Sequence, residues 1–486
     1  HLITEILREK WGFDGYYVSD CGAIKDFHMH HGLTDTPQES AALALKSGCD
    51  LNCGAVYLHV MSAYNQGLVS EDDIDRAVTH LMMTRMRLGM FDQHTEFDEI
   101  PYEVNDCAEH HSLSLKAAEE SMVLLKNDGI LPLDKAKLKT VAVIGPNSDS
   151  EEILKGNYNG TATEKYTLLE GIRAVLGKDT RIFCSEGAHL YRDNVENLAE
   201  ADDRIKEAVS MAMRSDVVFL CLGLNGTLEG EEGDANNSYA GADKVDLNLP
   251  ESQMRLLKAV CETGTPVILL LSTGSAMAIN EADEHCSAIL HVWYPGQMGG
   301  LAAARLLMGE AVPSGRLPVT FYRTTEELPD FTDYSMKGRT YRYMEHEALY
   351  PFGYGLSYGD FEYSNLKAEQ LETGQIKLSV EITNHSMFEC DEVAEVYVRI
   401  TDSELAAPGG SLADFKRIHL KAGESAAAAF ILSAKAFMVV NEEGEFVFDG
   451  SAAVVTCGGS QPDGRSVELT GKTPLKLDLK LEDLKW

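Results

Sequence analysis

Two groups of carboxylates in this sequence have the type and spacing for chemistry. Asp20 closes the stretch GFDGYYVSD, in which Tyr16 to Val18 is an apolar, β-forming run bounded by Gly15 and Gly22. Such a run reads as a short strand buried on both faces. Asp20 then lies at the strand's carboxyl end, the edge where parallel α/β architectures bind ligands and project reactive groups. The competing reading is an N-cap for the next helix, the commoner task of an aspartate at such a turn. The second group follows the apolar run VVFLCLGL, in TLEGEEGDANNSYAGADKVDLNLP. Glu229, Glu231, Glu232 and Asp234 crowd a glycine-rich stretch, which reads as a mobile loop. Crowded carboxylates raise one another's pKa, so one can keep its proton near neutral pH and serve as a general acid. The competing reading is solvated surface, and the spacing fails the calcium-loop template D-x-[DN]-x-[DN]-G. An attacking carboxylate and a protonating one are together what cleavage of a glycosidic bond requires.

Other candidates carry less. His28, His30 and His31 in FHMHHG lack the companion pattern of a metal helix and read as a polar loop, so no metal is expected. VAVIGPN opens like a dinucleotide fold, but Gly145 is followed by Pro146 and Asn147 without the G-x-G-x-x-G spacing, so no nucleotide cofactor is expected. There is no G-x-S-x-G elbow and no phosphate-binding loop. Trp293 in VWYPGQMGG reads equally as a sugar-lining ring or as core packing.

The elements that must position these residues follow from the patterning. HLITEILREKWGF is an amphipathic helix with Leu2, Ile6 and Leu7 on one buried face. ESAALALKSG is a helix closed by Gly48, CDLNCG a short strand and turn, and EDDIDRAVTHLMMTRMRLGMF a longer helix, the texture of the last part of a parallel barrel. From LKAAEESMVLLKNDG onward, the runs TVAVIGPNSD, RIFCSEG, VVFLCLG, TPVILLLSTG and AILHVWYPG alternate with helical segments, as in a parallel sheet covered by helices. After PFGYGLSYGDF, short strands such as IKLSVEITN, AEVYVRI and EFVFDGSAAVVTCG read as a β-sandwich. The predicted organisation is a multidomain α/β plus β chain. Residues 1–95 are the C-terminal part of a (β/α) barrel, 96–120 a linker, 121–330 an α/β sandwich, 331–365 a second linker, and 366–486 a β-sandwich of fibronectin type III-like form.

At 486 residues the chain exceeds what one core supports, and 44% apolar residues suit a globular protein. Its 42 Lys plus Arg against 77 Asp plus Glu give a formal charge of −35, repulsive toward nucleic acid and anionic lipid. A neutral partner is expected, and no membrane span is present as a run of apolar residues. The ten cysteines are scattered, with Cys49 and Cys53 one loose pair, and favour reduced thiols and a cytoplasmic setting. The text opens on His1 in mid-fold with no start methionine, so any export signal would lie upstream.

LREKWGFDGYYVSD, DLNCG, RMRLGMFD, AEESMVLLKNDGILPL, VAVIGPNSD, GNYNGT, LEGEEGD, VWYPGQMGGLAAARLLMGEAVPSGRLPVTFY and YRYMEHEALYPFGYGLSY together resemble glycoside hydrolase family 3, over essentially the whole chain. The resemblance implies a TIM-like barrel, an α/β sandwich and a fibronectin type III-like domain, in that order. It places the nucleophile on Asp20 and the general acid/base on Glu231, with Glu229 and Glu232 as fallbacks because EGEEGD holds three glutamates. It implies a retaining mechanism, whose two carboxyl groups stand roughly 5 to 5.5 Å apart in a competent site. Many β-glucosidases of the family carry tryptophan directly after the nucleophile. Here that position is Cys21, a weak substrate-binding candidate, and SDCGAI, DLNCG and GNYNG resemble the β-xylosidase branch, some of whose members also cleave α-L-arabinofuranosides. Xylo-oligosaccharides are therefore the expected substrate, with β-glucosides second. The partner is a small neutral oligosaccharide, and homo-oligomerisation is left open. GADK at 241–244 departs from the Asp-Arg pair of many relatives, which puts that arginine's contacts in doubt. A complete barrel needs roughly 250 residues, so the sequence is also compatible with a catalytically inactive fragment acting as a structural or carbohydrate-binding module. Residues 1–486 expressed alone are then expected to aggregate.

Overall fold

The structure is a computed structural model that describes residues 1–156, 159–194, 196–230 and 244–484. The chain divides into two compact units, His1–Val104 and Asn105–Trp486.

In the first unit, helices α1 (Ala23–Met29), α2 (Pro37–Lys46), α3 (Val60–Asn65) and α4 (Glu71–Arg87) flank two strand stubs. Thr36 and Glu39 form a reciprocal capping box ahead of Pro37, and Ser70 and Asp73 form another. Each side-chain cap is worth about 1 kcal/mol. Two small cores hold the helices, one around Ile24, Ala41 and Val56, the other around Leu45, Ala63 and Val69.

Two expectations need correcting here. The N-terminal segment is helical but wound as a wide π-helix over Leu2–Lys10, none of its residues is buried, and Leu2 is 74% exposed. The strand at Tyr16–Val18 is not buried on both faces. It is a stub joined to its neighbour at the single parallel bridge Val18–Leu51, with Tyr17 and Val18 exposed. A strand gains two-sided burial only from flanking strands and helices, and within this unit only the 50–52 segment flanks it.

The second unit begins with α5 (Ala108–Ser121), which feeds β1 (Val123–Asn127). There follow β2 (Thr140–Ile144), α6 (Leu168–Leu176), β3 (Arg181–Ser185), α7 (Asp203–Ala212), β4 (Val217–Gly223), α8 (Glu251–Cys261), β5 (Val267–Ser272), α9 (Asn280–His285), β6 (Ala288–His291) and α10 (Gly299–Leu307). The strands form one sheet in the order β1-β6-β5-β4-β2-β3. All neighbours are parallel except β1, which runs antiparallel to β6 at the edge. Every residue of β4 and β5 is buried, as strands covered by helices on both faces must be.

One helix contact is set by glycine. A Cβ on Gly171 of α6 would stand 1.9 Å from the carbonyl oxygen of Gly300 in α10, so the two backbones touch where side chains would normally intervene. Gly171→Ala is expected to force the helices apart and cost about 1–3 kcal/mol, read as a lowered melting temperature; an unchanged melt would show that α10 can shift freely.

The chain then builds a sandwich. Strands β7 (Phe361–Gln370), β8 (Ile376–Asn384), β9 (Cys390–Ile400), β10 (Ser411–Leu420), β11 (Ser425–Leu432), the short pair β12 (Val439–Val440) and β13 (Phe446–Val447), β14 (Ala452–Gly458) and β15 (Leu475–Lys480) are paired antiparallel throughout. One sheet runs β10-β9-β14-β15 and the other β11-β8-β7, closing over Leu378, Val396, Phe430, Phe437 and Val455. The fold class is thus the expected one, an α/β body with a mostly parallel sheet and a C-terminal fibronectin type III-like sandwich.

Candidate active site

Asp20 follows the strand stub and precedes the turn into α1. Its Oδ1 accepts the Cys21 N–H at 2.7 Å, and the side chain is exposed. It does not cap α1. The N-cap residue is Gly22, in the left-handed region at φ 79°, and the helix carries no side-chain cap. Gly22 is the residue that tolerates this turn without a Cβ penalty, and its N–H donates to the Cys53 carbonyl at 2.9 Å. The carboxylate is therefore held at a strand end by backbone, leaving its outer oxygen to solvent.

What registers that strand was not seen in the sequence. Asp50, whose side chain is 2% exposed, accepts from the Tyr17 N–H at 2.9 Å, from Arg8 Nη2 at 2.6 Å and from His80 Nδ1 at 2.9 Å. Beside it, the Ser19 hydroxyl oxygen accepts from Asn52 Nδ2 at 3.2 Å and from the Cys53 N–H at 3.0 Å. DLNCG thus supplies the partner stub and its turn. Only the charge-bearing Asp in the middle of a hydrophobic neighbourhood hinted at this, since a buried carboxylate demands partners.

The cysteine expectation is overturned at two positions. Cys21 and Cys53 form a disulfide, so neither is a reduced thiol. Cys49 is buried and its Sγ donates to the Leu51 carbonyl. As a disulfide sulfur, Cys21 offers a substrate no thiol. Near this turn, Gly22, Lys25, His28, Asn52, Val56 and His59 line a shallow cavity of about 310 Å³. His28 Nδ1 is bonded to Ser40 Oγ and His30 to Asp26. Among the described residues, no group of three or more His, Cys, Asp or Glu side chains is placed to hold a metal.

The acidic stretch leaves the carboxyl end of β4. Glu231, Glu232 and Asp234 lie outside the described residues. Glu229, 11% exposed, is fully engaged. Its Oε2 accepts from the Gly274 N–H at 2.7 Å and from the Tyr294 hydroxyl at 2.5 Å, and its Oε1 accepts from the Ser275 hydroxyl, with Lys244 Nζ 3.7 Å away. The Gly274, Ser275 and Tyr294 donors come from just past the ends of β5, which neighbours β4 in the sheet, and of β6, the next strand beyond. Burial pushes the Lys244 ammonium's pKa down, opposed by Glu229 and Asp246, and burial followed by Glu229 pushes the Tyr294 hydroxyl up. Lys244 thus makes an acidic contact from the GADK position that departs from the family pattern.

Trp293 is half-buried and packs against the core of the sheet. Its Nε1 donates to the Ser121 carbonyl at 2.9 Å, and its ring lies 3.9 Å from that of His291. Its φ of 59° is rare for a bulky residue. His291 is completely buried, and desolvation lowers its pKa to about 3, keeping the imidazole neutral.

A carboxylate at a parallel strand end and an acidic stretch after a parallel strand are the two groups that glycosidic-bond cleavage requires. The comparisons name the family. The model of the glycosyl hydrolase family 3 N terminal domain matches residues 1–84, that of the family's C-terminal domain residues 122–358, and a fibronectin type III-like domain residues 392–461. The chain belongs to glycoside hydrolase family 3. It is 30% identical to a xylan 1,4-beta-xylosidase of Xylanibacter ruminicola, over 88% of this chain and 66% of the relative. It is 31% identical to a beta-xylosidase of Formosa agariphila, over 97% and 66%. The solved structure of a β-glucosidase from Erythrobacter marinus superimposes with a TM-score of 0.83 at 28% identity, covering 99% of this chain and 65% of that one. The chain therefore spans just under two thirds of the length of these relatives. Among the described residues, no helix is long and apolar enough to cross a membrane.

Proposed function

We propose that the protein is a retaining glycoside hydrolase that releases terminal β-D-xylose from xylo-oligosaccharides, and α-L-arabinofuranose as a second activity. The Asp20 carboxylate attacks the anomeric carbon while Glu231 gives its proton to the departing glycosidic oxygen. The resulting glycosyl ester is then hydrolysed by water that Glu231, now a carboxylate, deprotonates, and Asp20 is released. The observation that carries this reading is Asp20 itself, exposed at a parallel strand end and not used as a helix cap. Glu231 is preferred to Glu229 because both oxygens of Glu229 are already taken by hydroxyl and backbone donors; Glu232 remains the fallback. The substrate is a neutral sugar, in keeping with a formal charge of −35.

Xylose is preferred over glucose on the Cys21 position and on the xylosidase names of the two relatives. The structural likeness to a β-glucosidase favours glucose as the second reading. The two sugars differ by one hydroxymethyl group, a discrimination typically worth only about 1–3 kcal/mol. The test is hydrolysis of 4-nitrophenyl β-xyloside and β-glucoside by the gene-encoded protein. Higher kcat/KM on the xyloside is expected; a preference for the glucoside replaces xylose, and turnover of neither removes the hydrolase reading.

A further inference from the structure

Two free cysteines meet at one corner of the second unit. Cys261 is the last residue of α8, and the turn after it is closed by the Thr263 N–H donating to the Val260 carbonyl and the Gly264 N–H to the Cys261 carbonyl, both at 3.2 Å. That turn feeds β5. Cys286 caps the end of α9, its N–H donating to the Ala282 carbonyl at 2.9 Å, and the Ser287 N–H that follows donates at 2.8 Å to the carbonyl of Val267, the first residue of β5. The start of one strand thus gathers both. Cys286 is 1% exposed within the core on this face of the sheet, and the half-buried Cys261 packs against the same core. Their thiols are hydrogen-bonded, Cys286 donating to the Cys261 sulfur. That bond draws the Cys261 pKa below the ordinary thiol value, against burial and the Glu281 carboxylate, and pushes the Cys286 thiol up, with burial adding to it and Lys126 opposing. Burial raises the pKa of Cys49, Cys184, Cys221, Cys390 and Cys457 instead. A reachable thiol of lowered pKa backed by a buried one is the arrangement of a pair that exchanges with disulfides.

We propose that Cys261 and Cys286 are an oxidisable dithiol, which takes a glutathione-type disulfide as its oxidant and closes into a second cystine that staples α8 to α9 across the start of β5. The Cys261 thiolate attacks one sulfur of the oxidant, whose S–S bond breaks and releases one glutathione thiolate with the electron pair. Cys286 then gives up its proton and attacks the Cys261 sulfur, and the second glutathione leaves. Two protein thiols are oxidised, one glutathione disulfide is reduced to two thiols, and the protons go to those thiols. The ring so closed holds all of β5 and α9. Oxidation therefore restricts the unfolded chain and raises the melting temperature. None of this depends on the hydrolase reading.

The test is incubation of the folded, gene-encoded protein with excess oxidised glutathione, followed by alkylation in denaturant and peptide mapping without reductant. One cross-linked peptide joining Cys261 to Cys286 is expected, absent from the untreated protein, and the oxidised protein is expected to melt higher by about 2 °C or more. Cys286→Ser removes the resolving thiol, so Cys261 is expected to stop as the mixed disulfide, seen as the added mass of one glutathione on its peptide. Cys261→Ser, at the more exposed position, is expected to leave Cys286 reduced and the melting temperature unmoved by the oxidant; it serves if Cys286→Ser folds poorly. Wild-type protein in which both thiols stay reduced, in which Cys261 halts as the mixed disulfide, or in which the melting temperature does not rise would overturn the proposal.

Discussion

Asp20→Asn is expected to abolish turnover of aryl β-xylosides in the gene-encoded protein, by ~10³-fold or more, because a nucleophile removed leaves no covalent route and its loss is not shared by other groups. The variant is expected to melt within about 0.5 kcal/mol of the wild type, since the side chain is exposed and its recorded hydrogen bond is to its own neighbour's N–H. That combination separates chemistry from folding. A sharper form uses Asp20→Gly with azide, a small external nucleophile that fits the space the carboxylate leaves. Activity on an activated β-xyloside should return, and the product should be the α-xylosyl azide, formed by a single displacement with inversion. Substantial turnover by Asp20→Asn without any added nucleophile removes this residue from the role.

The second large effect concerns the junction between the α/β body and the sandwich. Arg316 Nη2 donates to Glu392 Oε2 at 2.8 Å with the two side chains only 9% and 4% exposed. Arg316 also donates from Nε to the Gly459 carbonyl at 3.0 Å and from Nη1 to the Gly315 carbonyl at 3.1 Å, while Glu392 accepts the Tyr363 hydroxyl at 2.7 Å. Arg316→Met removes one charge and strands the other, for which about 3–5 kcal/mol is the usual cost. Replacing both residues by methionine should recover most of that loss, because neither charge of the pair then remains to be left unpartnered. Urea denaturation of the wild type, the single variant and the double variant checks both statements. A single variant as stable as the wild type, or a double variant no better than the single, would mean that the pair is not the fastener its burial implies.

Much of this architecture is legible in the residues themselves. VVFLCLG and VILLLS are apolar up to their last residues, so they read as strands covered on both faces, and they are β4 and β5. The helices in ESAALALKSG and EDDIDRAVTHLMMTRMRLGMF were legible from their periodicity, and the structure adds the capping boxes at Thr36 and Ser70 that start them. β1 was legible as a strand but not in direction, because VLLKN shows the same burial whichever way it runs beside β6. The first helix was legible in position but not in winding or exposure, since periodicity reports which face is apolar and not whether anything covers it.

The site divides in the same manner. Asp20 was legible as a strand-end carboxylate because that end is marked locally by Gly15, the β-formers and Gly22. The partners of Glu229 come from 45, 46 and 65 residues along the chain, and no local pattern ties those positions to it. Disulfide connectivity is equally non-local: no local pattern ties Cys21 to Cys53, 32 residues along the chain, yet the fold brings their α-carbons within 4.4 Å. Trp293 and Tyr294 were visible as aromatic residues, but the left-handed backbone that sends one ring inward and its neighbour toward a carboxylate is a tertiary property.

Asp50 gives the first unit an unequal distribution of vulnerability. A random-mutagenesis screen scored only by colour release would return Asp50 alongside Asp20, and the two would look like a matched pair of essential acids. Their phenotypes have different origins, for the lesion at Asp50 unseats Arg8, Tyr17 and His80 at once and disturbs the floor on which the other aspartate stands. On the reading proposed above, only Asp20 of these two acids, thirty residues apart, would meet a sugar.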